Sequence, residues 1–209
     1  MPKIKAIIFD MDGVLIDAKD WHYEALNKSL GLFGMSISRY DHLVTYDGLP
    51  TRKKLEMLTA DRGLPARLHN FINMMKQQYT MELIYAKCKP SFHHEYALSR
   101  LKQDGYRLSV ASNSIKNTIN VMMERAALRN YFDFLVSADD VTEGKPNPEI
   151  YINTIKKLGF RPDECLILED NEHGKQAALA SGAWLMEVGE AIDVNYSNIM
   201  RNIQQIEGR

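Results

Sequence analysis

Two carboxylates one residue apart, Asp10 and Asp12, follow directly on an apolar run in Ala6-Ile7-Ile8-Phe9-Asp10-Met11-Asp12-Gly13-Val14. Acids at the end of a buried segment repel each other. At about 4 Å and an effective dielectric of about 20, that costs about 4 kcal/mol. They require a cation or a proton. Gly13 lets the backbone leave the segment by a tight path. Three more polar groups follow apolar runs in the same way. Val110-Ala111-Ser112-Asn113-Ser114 offers a hydroxyl and an amide ahead of a helical pattern, where outward backbone N–H groups make an anion site. Glu143-Gly144-Lys145-Pro146-Asn147-Pro148 is a proline-braced loop presenting one lysine. Leu166-Ile167-Leu168-Glu169-Asp170-Asn171, with Gly174 close behind, adds two acids. Four acids with a lysine and a hydroxyl describe an oxygen-ligand cation site beside a phosphate site.

Singly, each feature has an ordinary structural explanation. Asp12-Gly13 is a turn signal, Ser112 a helix cap, Lys145 a solvated loop lysine and Glu169-Asp170 a cap for the next helix. What joins them is the set of elements that must carry them. Val, Ile, Leu and Phe concentrate at 4–10, 107–112, 132–137, 165–170 and 183–188. Near-continuous apolar character is what parallel strands covered on both faces require. Helical patterns lie between the later runs. Ile115, Ile119, Met122 and Ala126 share one face, as do Tyr151, Ile155 and Leu158. Asn147-Pro148 supplies a cap and a first-turn proline, and Gly159 a stop. The alternation predicts a doubly wound, Rossmann-like α/β fold with a parallel sheet. Ligands of such sheets bind at the carboxyl ends of the strands, where all four polar groups fall.

The stretch 17–86 breaks that alternation. Trp21, Ala25, Leu26 and Leu30 form one helical stripe. A second helix opens after Pro50 with Leu55 and Leu58 inward. A third begins near Pro65 with Leu68, Phe71, Ile72, Met75, Tyr79 and Leu83 at helical spacing. So long an insertion exceeds a crossover and predicts a helical cap domain, 17–86, set into a core of 1–16 and 87–209.

Composition narrows the classes. A net charge of −1 gives no general attraction to nucleic acid or anionic lipid, so any anion must be held by a local site. Cys88 and Cys165 lie outside any Cys-x-x-Cys pattern, which argues against a disulfide framework or zinc site and for a reducing cytoplasm. No apolar run has bilayer length, and no signal-like core opens the sequence. The terminal Ile206-Glu207-Gly208-Arg209 resembles a protease site often appended to recombinant chains and is given no weight.

The four motifs, in this order, resemble the haloacid dehalogenase superfamily along the whole chain, closest to its phosphatase and β-phosphoglucomutase-like branch. The resemblance implies that Asp10 attacks phosphorus to form an aspartyl phosphate. Asp12 protonates the leaving oxygen and then activates water. Ser112 and the Asn113 backbone hold phosphoryl oxygens, and Lys145 neutralises charge between nucleophile and phosphate. Mg²⁺ is bound by Asp10, the Asp12 carbonyl and Asp170, with Glu169 ligating or orienting a bound water. The aspartate at position 12 favours phosphate-ester chemistry, because the dehalogenase and phosphonatase branches lack it and transport ATPases carry threonine there.

Within the cap, the resemblance points to His22 and to the loop Gly48-Leu49-Pro50-Thr51 as substrate contacts, and Arg52 and Lys76 are further candidates as basic residues that could meet an anionic group. Their ordinary readings are an exposed helix histidine, a helix cap at Thr51, and solvated faces for Lys76 and for Arg52, Lys53 and Lys54. Mutases of this branch carry arginine at the position aligned with Thr51, where it retains a bisphosphate. Here arginine comes one residue later, turned by about 100° on a helix, and Asp47 replaces a basic residue. The expected activity is therefore Mg²⁺-dependent hydrolysis of a small phosphorylated metabolite, a sugar or polyol phosphate. The alternative is a sugar-phosphate mutase. A catalytically silent binding protein would have lost one of these acids or Lys145, and none is lost.

Overall fold

Ala6-Ile7-Ile8-Phe9 has no polar face to offer water, so it can only be a strand covered on both sides. The computed structural model describes residues 3–46 and 48–208. In it this segment is β1 (Ala6–Phe9), fully buried at the centre of a five-stranded sheet. The others are β2 (Arg107–Ala111), β3 (Phe134–Val136), β4 (Cys165–Glu169) and β5 (Trp184–Glu187). Their order is β3-β2-β1-β4-β5 and every pairing is parallel. The register sets Phe9 opposite Val110 and Leu168. From β1 the chain builds outward to β3, then returns to add β4 and β5 on the other side. The order reverses beside β1, where doubly wound sheets bind ligands. Each strand lies inside the apolar run that predicted it, and the runs overreach by at most two residues.

Two compact units divide the chain: residues up to Asp17 with those from Lys89 onward, and Ala18–Cys88. The second is helical. It contains α1 (Lys19–Gly31), the short α2 (Arg39–Asp41) with a π-helical turn at His42–Tyr46, α3 (Thr51–Arg62) and α4 (His69–Lys87). Its own core gathers Leu26, Leu30, Leu55, Leu58 and Ile72.

Three expectations need correction here. The buried line of α4 is Ile72, Lys76, Thr80 and Ile84, while Phe71 is exposed and Met75, Tyr79 and Leu83 are half-buried. Leu68 precedes α4, in a 3₁₀ turn. The expected stripe is thus rotated, and it brings Lys76 inward. Lys54 likewise is buried rather than solvated. Thr51 is no cap, because Pro50 holds that position and Thr51 is the first helical residue. Asp47 lies outside the described residues.

In the first unit, α5 (Phe92–Gln103), α6 (Lys116–Arg125), α7 (Glu149–Leu158), α8 (Glu172–Ala180) and α9 (Tyr196–Glu207) accompany the sheet. Tyr151 and Ile155 of α7 and Ala177 and Ala178 of α8 share one core cluster with Ala6, Ile8 and Ile167. The cap of α7 is Pro148, one residue later than the expected Asn147, while Asn147 Oδ1 accepts the Glu149 N–H at 2.9 Å. The last helix carries structural weight that its sequence concealed. Ile206 is buried, and Glu207 Oε1 accepts the N–H of Ile4 at 3.0 Å. Among the described residues, no helix is long and apolar enough to cross a membrane.

The approach of α8 to the end of β4 depends on one missing side chain. A Cβ on Gly174 would lie 1.9 Å from Oε1 of the fully buried Glu169. Alanine would suit the helix better by about 1 kcal/mol, but this carboxylate has no room to retreat. Gly174→Ala should therefore destabilise the protein by about 2 kcal/mol or more, lowering Tm by at least about 4 °C in a chain of this size. Unfolding at wild-type temperature would show that the carboxylate can shift at no cost.

Candidate active site

Asp10 stands one residue past β1, and its N–H still donates to Leu168 O of β4 at 3.0 Å. The sheet ladder therefore fixes its backbone and leaves its side chain at the strand end. Lys145 reaches the same point from the loop after β3. Its Nζ donates to Asp10 Oδ1 at 2.6 Å, Glu169 Oε1 at 2.6 Å and Ala111 O at 2.8 Å. These three bonds use every N–H of an ammonium. The lysine side chain is only 3% exposed, and the Tyr151 ring lies 4.7 Å from its nitrogen.

Glu169 is held as tightly. Its Oε1 also accepts the Tyr151 hydroxyl at 2.5 Å, and its Oε2 accepts from Asp170 N at 3.1 Å and Asn171 Nδ2 at 3.2 Å. Four donors on one carboxylate hold it in place. Asn171, rather than Glu169 or Asp170, caps α8, through its side chain and the Gly174 N–H.

Burial is the largest influence on Asp10 and pushes its carboxyl well above the usual range. Lys145 pulls it down, while Glu169, Asp12 and Asp170 push it up further. Burial alone would lower the Lys145 ammonium, but Asp10 and Glu169 outweigh it and hold the ammonium above its ordinary value. The imbalance is one of charge: one ammonium faces several acids. Carboxylate oxygens of Asp10, Glu169 and Asp170 lie within 4.8 Å of one another. All are hard oxygen donors, and their excess negative charge fits a divalent metal ion.

The first site loop turns sharply. Gly13, at φ 89°, donates its N–H to Ile16 O at 2.7 Å, and Met11 O accepts from Leu15 N at 2.9 Å and Ile16 N at 3.0 Å. Asp12 projects from this turn with its Oδ2 accepting the Ser114 hydroxyl at 3.0 Å. Ser112 continues β2 by donating its N–H to Val136 O at 3.0 Å, and its Oγ accepts the Ser114 N–H at 3.1 Å. It lies in a loop rather than in the first helical turn, because α6 begins only at Lys116.

The Asn113 side chain makes two hydrogen bonds to the backbone of Lys145: Oδ1 accepts its N–H at 2.9 Å, and Nδ2 donates to its carbonyl at 3.2 Å. A Cβ on Gly144 would lie 2.6 Å from that Oδ1, so the clamp requires glycine there.

Asp10, Asp12, Ser112, Asn113, Lys145, Glu169 and Asp170 are thus linked by short contacts or shared partners. The remaining candidates belong to the helical unit. There His22 Nδ1 and Lys76 Nζ are 3.4 Å apart. Gly48, at φ 70°, forms a turn ahead of Thr51. Arg52 does not face inward: its side chain is 89% exposed, and its Nε donates to Glu56 at 2.9 Å.

Three contributors escaped the sequence reading: the Tyr151 hydroxyl, the Asn113 side chain and Ser114. Tyr151 read as core because its ring is core. Its one signal was a hydroxyl on an otherwise apolar stripe, six residues after Lys145.

Residues 7–188 match the family described as haloacid dehalogenase-like hydrolase. The "phosphorylated carbohydrates phosphatase" of Thermotoga maritima is 30% identical over 182 residues, 86% of this chain and 82% of that protein. Fructose-1-phosphate phosphatase YqaB of Escherichia coli is 28% identical over 198 residues, 90% of this chain and 95% of that one. Among solved structures, a β-phosphoglucomutase from Clostridium difficile has a TM-score of 0.85 at 23% identity, covering 99% of this chain and 100% of that one. At that identity the likeness speaks for the fold alone. By the matched span and by the Thermotoga relative, with the parallel sheet and the acids at its strand ends, this chain belongs to the haloacid dehalogenase-like hydrolase family.

Proposed function

We propose that the chain is a Mg²⁺-dependent phosphatase that hydrolyses a small sugar or polyol phosphate through an aspartyl phosphate on Asp10. The observation that carries this reading is the buried Lys145 ammonium, which grips Asp10 and Glu169 together at the end of the central strand. A carboxylate fixed by a cation, with an acid-base partner two residues away, is equipped for in-line attack on phosphorus. Asp10 attacks, the ester P–O bond breaks, and Asp12 gives its proton to the departing oxygen. Asp12 then takes a proton from water as the water oxygen bonds to phosphorus and the Asp10–phosphorus bond breaks. Ser112 Oγ, already an acceptor from Ser114 N, has its own O–H to aim at a phosphoryl oxygen.

Asp10 and Asp170 would hold Mg²⁺, which supplies Lewis-acid neutralisation of phosphoryl charge. Glu169 is assigned mainly to fixing Lys145, since four protein donors engage its oxygens. Choice of substrate is assigned to the helical unit, to His22 and Lys76 foremost. The sugar-phosphate class is suggested by the two named phosphatase relatives. A cytoplasmic setting is inferred from two buried free thiols, Cys88 and Cys165. Hydrolysis is favoured over mutase chemistry by Arg52, which pairs with Glu56 and faces solvent rather than serving as a second phosphate clamp.

Three outcomes follow from this reading. Chelation should abolish activity and Mg²⁺ restore it, with a rise in Tm on metal addition because the ion offsets repulsion among the site acids. Full turnover by carefully demetallated protein would falsify the metal assignment. Asp10→Asn, which keeps the shape but removes the nucleophilic oxygen, should lower kcat by several orders of magnitude while the protein stays folded; near-wild-type turnover would remove Asp10 from its role. Finally, free phosphate and isomerised product should be followed together from β-glucose 1-phosphate and related monoesters. Steady phosphate release without a bisphosphate activator is expected. Rapid isomerisation with little free phosphate, stimulated by a sugar bisphosphate, would instead identify a mutase.

A further inference from the structure

We propose that Ser114 is a positioning residue for Asp12, holding one carboxylate oxygen so that the other exchanges the proton with leaving group and water. The inference rests on the acid-base reading of Asp12 given above. Ser114 is fixed at three atoms. Its N–H donates to Ser112 Oγ at 3.1 Å, its carbonyl accepts the Ala138 N–H at 3.0 Å, and its hydroxyl donates to Asp12 Oδ2 at 3.0 Å. The first two bonds tie it to the ends of β2 and β3, so its hydroxyl is aimed by the sheet rather than by a flexible side chain.

Asp12 has the opposite character. Its backbone is fixed by the Met11–Ile16 turn, but rotation about its side-chain bonds would swing the carboxylate away from the reacting oxygen. A hydroxyl donating to Oδ2 restrains that rotation. It also differentiates the two oxygens. With Oδ2 already receiving a hydrogen, the acidic proton of the neutral form belongs on Oδ1, and Oδ1 delivers it. In the first half-reaction that proton passes to the ester oxygen as its bond to phosphorus breaks. In the second, Oδ1 recovers a proton from the attacking water.

The separating experiment uses leaving groups that differ in their need for an acid. An alkyl phosphate such as glycerol phosphate expels a strongly basic oxygen, whereas p-nitrophenyl phosphate expels a stable phenolate unaided. The quantity is kcat/KM, which covers the steps through loss of the leaving group. Ser114→Ala should lower kcat/KM for the alkyl ester by about ten-fold or more, a fraction of the total effect of a general acid, and alter that for p-nitrophenyl phosphate by less than about three-fold. Ser114→Thr, which keeps the hydroxyl, should restore most of the alkyl activity. Asp12→Asn is the reference and should show the same selectivity in larger measure. If Asp12→Asn is selective but Ser114→Ala reduces both esters equally, or neither, Ser114 does not position the acid. If Asp12→Asn itself shows no selectivity, the acid role of Asp12 fails and this inference falls with it.

Discussion

The Lys145 ammonium, buried with all three hydrogens engaged, is the contact on which the site geometry depends. One nitrogen joins Asp10 beyond β1, the last residue of β2 and the last residue of β4. Removing one partner of such a buried pair typically costs about 3–5 kcal/mol, because the other charge is left without compensation. The surroundings make sense as supports for it. Asn113 clamps the lysine backbone, Tyr151 backs the carboxylate that the lysine grips, and Gly174 leaves that carboxylate its space. These supports come from three different loops and helices, so the charged centre also ties the ends of the sheet together.

Lys145 does not settle the charge account. Asp10, Glu169 and Asp170 share the centre, Asp12 stands close by in sequence, and Asp10 is pushed well above the usual carboxylate range. A sequence selected for stability alone would not place this many acids at buried strand ends. The arrangement is coherent if a divalent ion and a phosphoryl group complete it, one cationic and the other anionic. The repulsion read from Asp10 and Asp12 in the sequence is one contributor to the raised Asp10, behind burial and Glu169.

What was legible in the sequence follows from what each signal depends on. A strand buried on both faces must be apolar at every position, so β1 and β4 could be read from a few residues, and the acids that end them stood out by contrast. The loop lysine was legible because prolines and a glycine frame it. Side-chain partnership was not, since it depends on distances across the sheet. Asn113 was assigned through its backbone, yet its side chain does the clamping. The line of α4 was misread for another reason. Ile72 was placed correctly, but the line then followed Met75, Tyr79 and Leu83, because the lysine and threonine that continue the buried line at 76 and 80 carry no apolar signal.

That displaced line bears on what the helical unit is for. Thr80 is explained locally, since its Oγ1 donates to Lys76 O at 2.8 Å within the helix. Lys76 is different. A buried ammonium is expensive to desolvate, and a lysine stem alone would be replaced by leucine or methionine at a gain in stability. Its Nζ instead approaches His22 Nδ1 on another helix. A local reading of hydrophobicity misses Lys76 because a buried lysine runs against the pattern of a stable helix.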